Sequence, residues 1–136
     1  MANYAALFKF HLDQVGIKYR ELKPGIFSVR YTGEKLNDID VLIGFDEDND
    51  PHVTFKCFSI GEFPKDKYAK ALVTCNRSNL KYRWVKFFLN ENNEVTVSGD
   101  MILDEQTCGN NCEEMVHRVV GIVDDTYPEF MKTRWS

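Results

Sequence analysis

The stretch LVTCNRSNLKYRWVKFFLNENNEVTVSGDMILDEQTC, residues 72–108, decides the fold, because it passes from helical to strand periodicity and back again. Leu72, Asn76 and Asn79 stand at i, i+4 and i+7, and Ala69, Val73 and Leu80 border the same face of a helix, so that face must pack against something. A buried amide left without partners costs about 1–3 kcal/mol. The spacing therefore assigns Asn76 or Asn79 a structural role, bonding the backbone of a neighbouring element rather than a ligand. Further on, Val85, Phe87 and Leu89 point one way while Trp84, Lys86 and Phe88 point the other, and Val95, Val97 and Met101 resume the alternation. Glu91, Asn92 and Asn93 lie between, and Asn accepts positive φ more readily than other residues with a side chain, so the reading is two strands and a hairpin.

At the N-terminal end, Tyr4, Leu7, Phe8, His11, Leu12 and Val15 keep helical spacing, and Gly16 closes that helix. After Lys23-Pro24-Gly25, Phe27, Val29 and Tyr31 alternate as a strand, and residues 33–38 form a polar connection. Val41, Ile43 and Phe45 make a second strand and Val53, Phe55 and Cys57 a third, joined by DEDND as an antiparallel hairpin. Gly61 and Pro64 end the sheet pattern before a helix from about residue 65 to 82, with Pro64 near its first turn, where no hydrogen bond is lost. The last helix is expected near Asn110, with Met115, Val116, Val119, Val120, Val123 and Tyr127 as its core stripe, and Pro128 ends it or starts a short final turn. Trp135 either caps the core or stands free. The expected order is α-β-β-β-α-β-β-α, an α+β single domain over residues 1–136, since strand pairs on short turns favour antiparallel pairing over repeated βαβ units.

The 136 residues suffice for one core without metal or disulfide staples. Hydrophobic residues at 43% and charged residues at 28% are ordinary for a globular domain. A net charge of -4 argues against general affinity for nucleic acid or an anionic membrane, which need a basic surplus. Lys9 and His11 interrupt the first apolar stretch, so it does not read as a signal peptide, and no apolar run is long enough to span a bilayer. The four cysteines, Cys57, Cys75, Cys108 and Cys112, are few for a secreted scaffold, and a reducing cytoplasm is the expected compartment.

The run CNRSNLKYRWVKFFLNENNEVTVSGDMILDEQTCG (residues 75–109), the upstream GFDEDNDPHVTF (44–55) and the downstream IVDDTYPEFMK (122–132) resemble the YbjN domain family, also described as bacterial sensory transduction regulators. The likeness runs from about residue 40 to residue 132, and CN-x-x-N-x-x-YRW-x-K is its most specific segment. The resemblance implies a fold similar to the type III secretion chaperones, with three helices around one antiparallel sheet, often as a homodimer. It implies no catalytic residues and no cofactor.

Asp46, Asp48 and Asp50 match the first three oxygen ligands of a calcium loop, but Pro51 stands where Gly is needed and Cys57 where a bidentate Glu is needed, so a solvated hairpin turn is the reading. Cys108 and Cys112 are four apart at a helix start, a spacing that is neither CxxC nor a zinc pattern, and they read as half-buried free thiols with a redox role as the alternative. His117 follows Glu113 by one helical turn and suits an ion pair, while His11 and His52 are isolated in sequence, so no triad is formed. Asp124 and Asp125, placed near the end of the last helix, oppose its dipole and could meet Arg or Lys from elsewhere, a structural pairing rather than a catalytic one. Arg77, Lys81, Arg83 and Lys86 interleave with Tyr82 and Trp84, but the group is small against the negative total, so no nucleic acid and no membrane is expected as partner.

Trp84, Lys86 and Phe88 are expected to share one strand face, and if the other face holds the core then Trp84 and Phe88 need a cover. They are the candidate partner or dimer surface, with Asn76 and Asn79 as structural polar residues. The sequence thus points to a non-enzymatic, cytoplasmic, homodimeric protein-binding adaptor or chaperone-like module. A regulator responsive to a small ligand or to redox change is the alternative.

Overall fold

The helix-spaced segment at the N-terminus forms α1 (Tyr4–Val15), capped by the Asn3 side chain, which accepts from the Ala6 N–H, and closed by Gly16 at φ 77°. The computed structural model describes residues 2–47 and 49–136; Asp48, one of the acidic residues of the calcium-like run, lies outside them. After α1 come β1 (Arg20–Lys23), β2 (Ile26–Tyr31), β3 (Ile39–Phe45) and β4 (His52–Cys57). A short 3-10 turn (Lys65–Lys67) leads into α2 (Tyr68–Lys81), then β5 (Lys86–Leu89), β6 (Val95–Ile102) and α3 (Cys108–Trp135). The expected α-β-β-β-α-β-β-α order is present, with β1 added before it.

All the strands form one antiparallel sheet in the order β1-β2-β3-β4-β6-β5. Period-two alternation gives β2, β3, β4, β5 and β6 one buried apolar face each. In register, Val29, Val41, Cys57, Val97 and Phe87 form one fully buried row across five strands. The helices cover this face. Phe8 of α1 sits edge-on to Phe27 at 5.4 Å, and Phe130 of α3 stacks on Phe87 at 5.9 Å. The 3.6-residue spacing of Met115, Val116, Val119, Val123 and Phe130 lays α3 along the middle of the sheet, between α1 and α2.

Pro128 does not end α3; the helix continues to Trp135, because Thr126 and Phe130 on either side of the proline are buried and their packing holds the chain helical across the one lost N–H. Asp124 and Asp125 consequently lie well inside the helix. β1 has four exposed residues and no apolar alternation, which is why periodicity does not show it; its charged side chains suit a sheet edge. Trp135 is exposed.

Candidate partner-binding surface

The register of α2 differs from the one its apolar residues suggest. The buried stripe is Ala71, Thr74, Cys75 and Ser78, not Leu72, Asn76 and Asn79. This side packs on α3 through paired hydroxyls, Thr74 with Thr133 at 2.6 Å and Ser78 with Thr126 at 3.1 Å, extended by Tyr82 donating to Asp125. Small hydroxyl side chains satisfy one another and let the helices approach, an arrangement that an apolar count cannot detect. The consequence is an apolar outer face. Leu72 is 40% exposed, Val73 50% and Leu80 82%, with Tyr68 beside them and Asn76 exposed in the same stripe.

Asn79 faces the neighbouring edge strand. Its carboxamide oxygen accepts from the Phe87 N–H at 2.6 Å and its amide nitrogen donates to the Phe87 carbonyl at 3.0 Å. Phe87 pairs with Val97 in β6 between the flanking pairs Lys86–Ser98 and Phe88–Thr96. The groups Asn79 takes are those that an added strand would use, so one side chain stands in for a neighbouring strand and closes this part of the β5 edge. Asn76 makes no such contact among the described residues.

Trp84 does not share a strand face with Lys86 and Phe88. It precedes β5 with φ 82°, a conformation rare for a bulky side chain, and the resulting bend carries its ring to α3, where the Arg118 guanidinium lies 5.1 Å from the ring centroid. The bend requires Gly99, because a Cβ there would stand 2.7 Å from the Trp84 carbonyl oxygen and 2.6 Å from Met115 Cε. Trp84 is 53% exposed and forms a ridge between two shallow clefts, one against Met101 and Glu114, the other against Tyr82 and Ile122. Lys86 and Phe88 instead project from the sheet face opposite the helices, the ammonium 5.8 Å from the phenyl centroid.

At one end of that open face, His52 bonds Asp100 at 3.0 Å and Asp46 at 3.2 Å, and Thr54 donates to Asp100 at 2.7 Å. Burial lowers the His52 pKa, but the bonds to the two carboxylates and their charges outweigh it and raise it overall. Burial likewise raises Asp100, and the bonds from Thr54 and His52 reverse this to a net lowering. The histidine that looks isolated in sequence is therefore one centre of a charge network. His11 is another: its Nε2 lies 2.6 Å from Glu113, whose second oxygen is 4.0 Å from His117, which in turn contacts the Tyr31 hydroxyl at 3.1 Å. Glu113 thus meets the expected His117 and, more closely, a second histidine from α1 that sequence distance hid.

Among the described residues the hydrogen-bond partners of Asp124 are backbone amides rather than an Arg or Lys side chain. It accepts the backbone N–H groups of Glu34, Lys35 and Leu36 at 3.1, 2.8 and 2.9 Å, fastening the β2–β3 connection to α3. Gly33 makes room for it: a Cβ there would fall 2.3 Å from Asp124 Oδ1. Asp125 does find Lys81 at 3.7 Å and Lys35 at 3.9 Å. All four cysteines are buried rather than half-buried. Burial pushes the Cys75 thiol up to about 11, and contact with Cys108, with burial, pushes Cys112 up. Among the described residues no group of three or more His, Cys, Asp or Glu is placed to hold a metal ion, and no helix is long and apolar enough to cross a membrane.

The model of the YbjN family, described as "Putative bacterial sensory transduction regulator", matches residues 11–132. The chain belongs to the YbjN family. Among solved structures, this YbjN-family chain is similar to E. coli YbjN, described as "a putative transcription regulator", with a TM-score of 0.61 and 12% identity over 89% of each chain. It is also similar to the Yersinia pestis type III secretion chaperone SycH, solved in complex with a stable fragment of YscM2, with a TM-score of 0.55 and 17% identity over 87% of this chain and 94% of SycH. A third likeness is to the ExsC–ExsE complex, with a TM-score of 0.51 and 12% identity over 90% of this chain and 86% of the other. These likenesses establish a shared fold, and the family and SycH are by description regulators or chaperones rather than enzymes. No curated protein sequence matches the chain.

Proposed function

We propose that this protein is a non-enzymatic protein-binding module, an adaptor or chaperone-like regulator of the bacterial cytoplasm that works as a homodimer, with the outer face of α2 as its contact surface. The observation that carries this reading is that outer face itself: Leu72, Val73, Leu80 and Tyr68 lie exposed on one helix while its inner side is held by hydroxyl pairs. Burying a leucine side chain fully contributes about 1.5–3 kcal/mol, so a partner covering this stripe gains a substantial apolar contact. Two of the fold's relatives were solved with protein partners, which supports the same reading. Trp84, exposed and braced by Arg118, is proposed as a second anchor, since partly exposed tryptophans on rigid backbone make effective hot spots.

The buried native cysteines make a direct test available. A Leu80→Cys variant treated with a short bismaleimide should give a covalent dimer, while Glu105→Cys, on an exposed loop, should not. Equal cross-linking of the two, or none, refutes the dimer surface.

A specific observation also supports a small-ligand regulator. A cleft of 490 Å³ between α2 and α3 is lined by Ser78, Thr126, Arg77, Lys81 and Lys132 together with Glu129; Glu129 pairs with Lys132 and Asp125 with Lys81, which among the described residues leaves Arg77 as the cation for a small anion. A thermal-shift series with inorganic pyrophosphate, on the parent and on Arg77→Ala, separates this reading: stabilisation of the parent alone supports it, and no stabilisation of either removes it.

A further inference from the structure

The sheet face opposite the helices carries an in-register row that crosses every strand: Arg20, Ser28, Leu42, Lys56, Ser98 and Lys86. Five strand spacings of about 4.8 Å make the row about 24 Å long. Arg30 lies beside it on β2, and at the β1–β2 end Lys18, Arg20 and Arg30 line a cleft of 540 Å³ whose wall contains no carboxylate. Among the described residues, Lys18, Arg20 and Lys56 have no ion-pair partner. The strand carboxylates of this face are already engaged, Asp40 by Ser28 at 2.5 Å and Arg30 at 3.7 Å, and Asp100 by Thr54 and His52. A chain of net charge -4 thus presents a face of five cations whose strand carboxylates, Asp40 and Asp100, are held by its own side chains, with Asp46 at the face's end bonded to His52.

From this we infer that the open face of the sheet docks an extended acidic segment of a partner polypeptide, with one of its carboxylates seated in the cleft of Lys18, Arg20 and Arg30. The inference rests on the protein-binding reading above and adds the chemistry of the partner and a surface distinct from α2. Charge complementarity selects the occupant: about seven extended residues span the row. Ser28, Thr96 and Ser98, small and flush with the backbone, leave the basic tips standing above a low polar floor. A single-stranded nucleic acid is the poorer fit, since it needs successive aromatic platforms, and here Phe88 has Lys86 over its ring.

The test is fluorescence anisotropy on the full chain with a fluorescein-labelled octapeptide of alternating Glu and Ala, beside a Lys and Ala octapeptide and a thymidine octanucleotide. The acidic peptide should bind saturably and weaken as salt rises. The Arg20→Gln/Lys56→Gln variant should lose at least tenfold in affinity, whereas Lys56→Arg should retain it. A Leu72→Asp/Leu80→Asp variant, which removes the proposed dimer contact, should bind the peptide as the parent does. No saturable binding, no loss in the Arg20/Lys56 variant, equal loss in the α2 variant, or tighter binding of the octanucleotide would each overturn the inference. If instead cross-linking through position 80 fails while the peptide binds as described, the dimer surface falls and the basic face stands.

Discussion

Replacing Asn79 by Ala isolates the link between α2 and the edge of the sheet. Two hydrogen bonds are lost, at 2.6 and 3.0 Å, and the Phe87 N–H and carbonyl are left without protein partners. An unsatisfied buried backbone pair costs about 1–3 kcal/mol, partial access of water to this edge favours the lower half, and the better helix propensity of Ala returns about 0.5 kcal/mol. The expected net loss is about 1 kcal/mol, or about 4 °C in Tm for a domain of this size. Urea and thermal unfolding followed by far-UV circular dichroism measure it, with Asn76→Ala as the internal comparison. Asn76 is exposed and should change stability by less than about 0.5 kcal/mol. A loss below that threshold for Asn79→Ala, or an equal loss for Asn76→Ala, refutes the account of how α2 meets β5. Since the same amide closes part of the β5 edge, Asn79→Ala should also aggregate faster at equal fraction unfolded, which static light scattering reads.

Asp124→Ala should free the β2–β3 connection: the amides of Glu34, Lys35 and Leu36 lose their acceptor and should exchange with deuterium at least tenfold faster, while α3 amides near Val119 stay protected. The His52 network stabilises the fold when the imidazole is protonated. Its folded pKa is raised above 6.5, so the contribution is present below that value and lost as pH rises through the folded value. His52→Gln should therefore lower Tm more at pH 5.5 than at pH 8.5 (about one unit below and two above the ordinary histidine range); an equal drop at both contradicts the network. The native protein should react with less than about one equivalent of a thiol reagent, and the denatured chain with all four cysteines, because all four thiols are buried; rapid native labelling would restore a redox reading.

The strands were legible in the sequence where one face is apolar and the other is not, as in Val41, Ile43 and Phe45 or Val53, Phe55 and Cys57, because period-two burial writes itself into residue type. β1 was not, since an edge strand of four exposed residues is held by backbone bonds alone. α2 was legible as a helix but not in its rotation: Leu72, Val73 and Leu80 suggested the buried side, whereas Thr74 and Ser78 pack inward through hydroxyl pairs. Its outward face is the most informative part of the candidate site, and it appeared only as the mismatch between sequence and structure. Trp84 is legible as a surface residue, but strict alternation puts it with Lys86 and Phe88, because the positive φ that turns it toward Arg118 leaves no mark on periodicity. Sequence distance concealed His11 beside Glu113 and the three backbone amides gathered by Asp124.

In the proposed function the outer face of α2 joins two copies of this YbjN-family chain. Sedimentation equilibrium on the parent and on Leu72→Asp/Leu80→Asp tests it most directly, with thermal melts to show that both are folded. A parent of twice the 15.8 kDa chain mass and a folded monomer for the variant are the expected results. A monomeric parent, or a variant that dimerises as tightly as the parent, would contradict it.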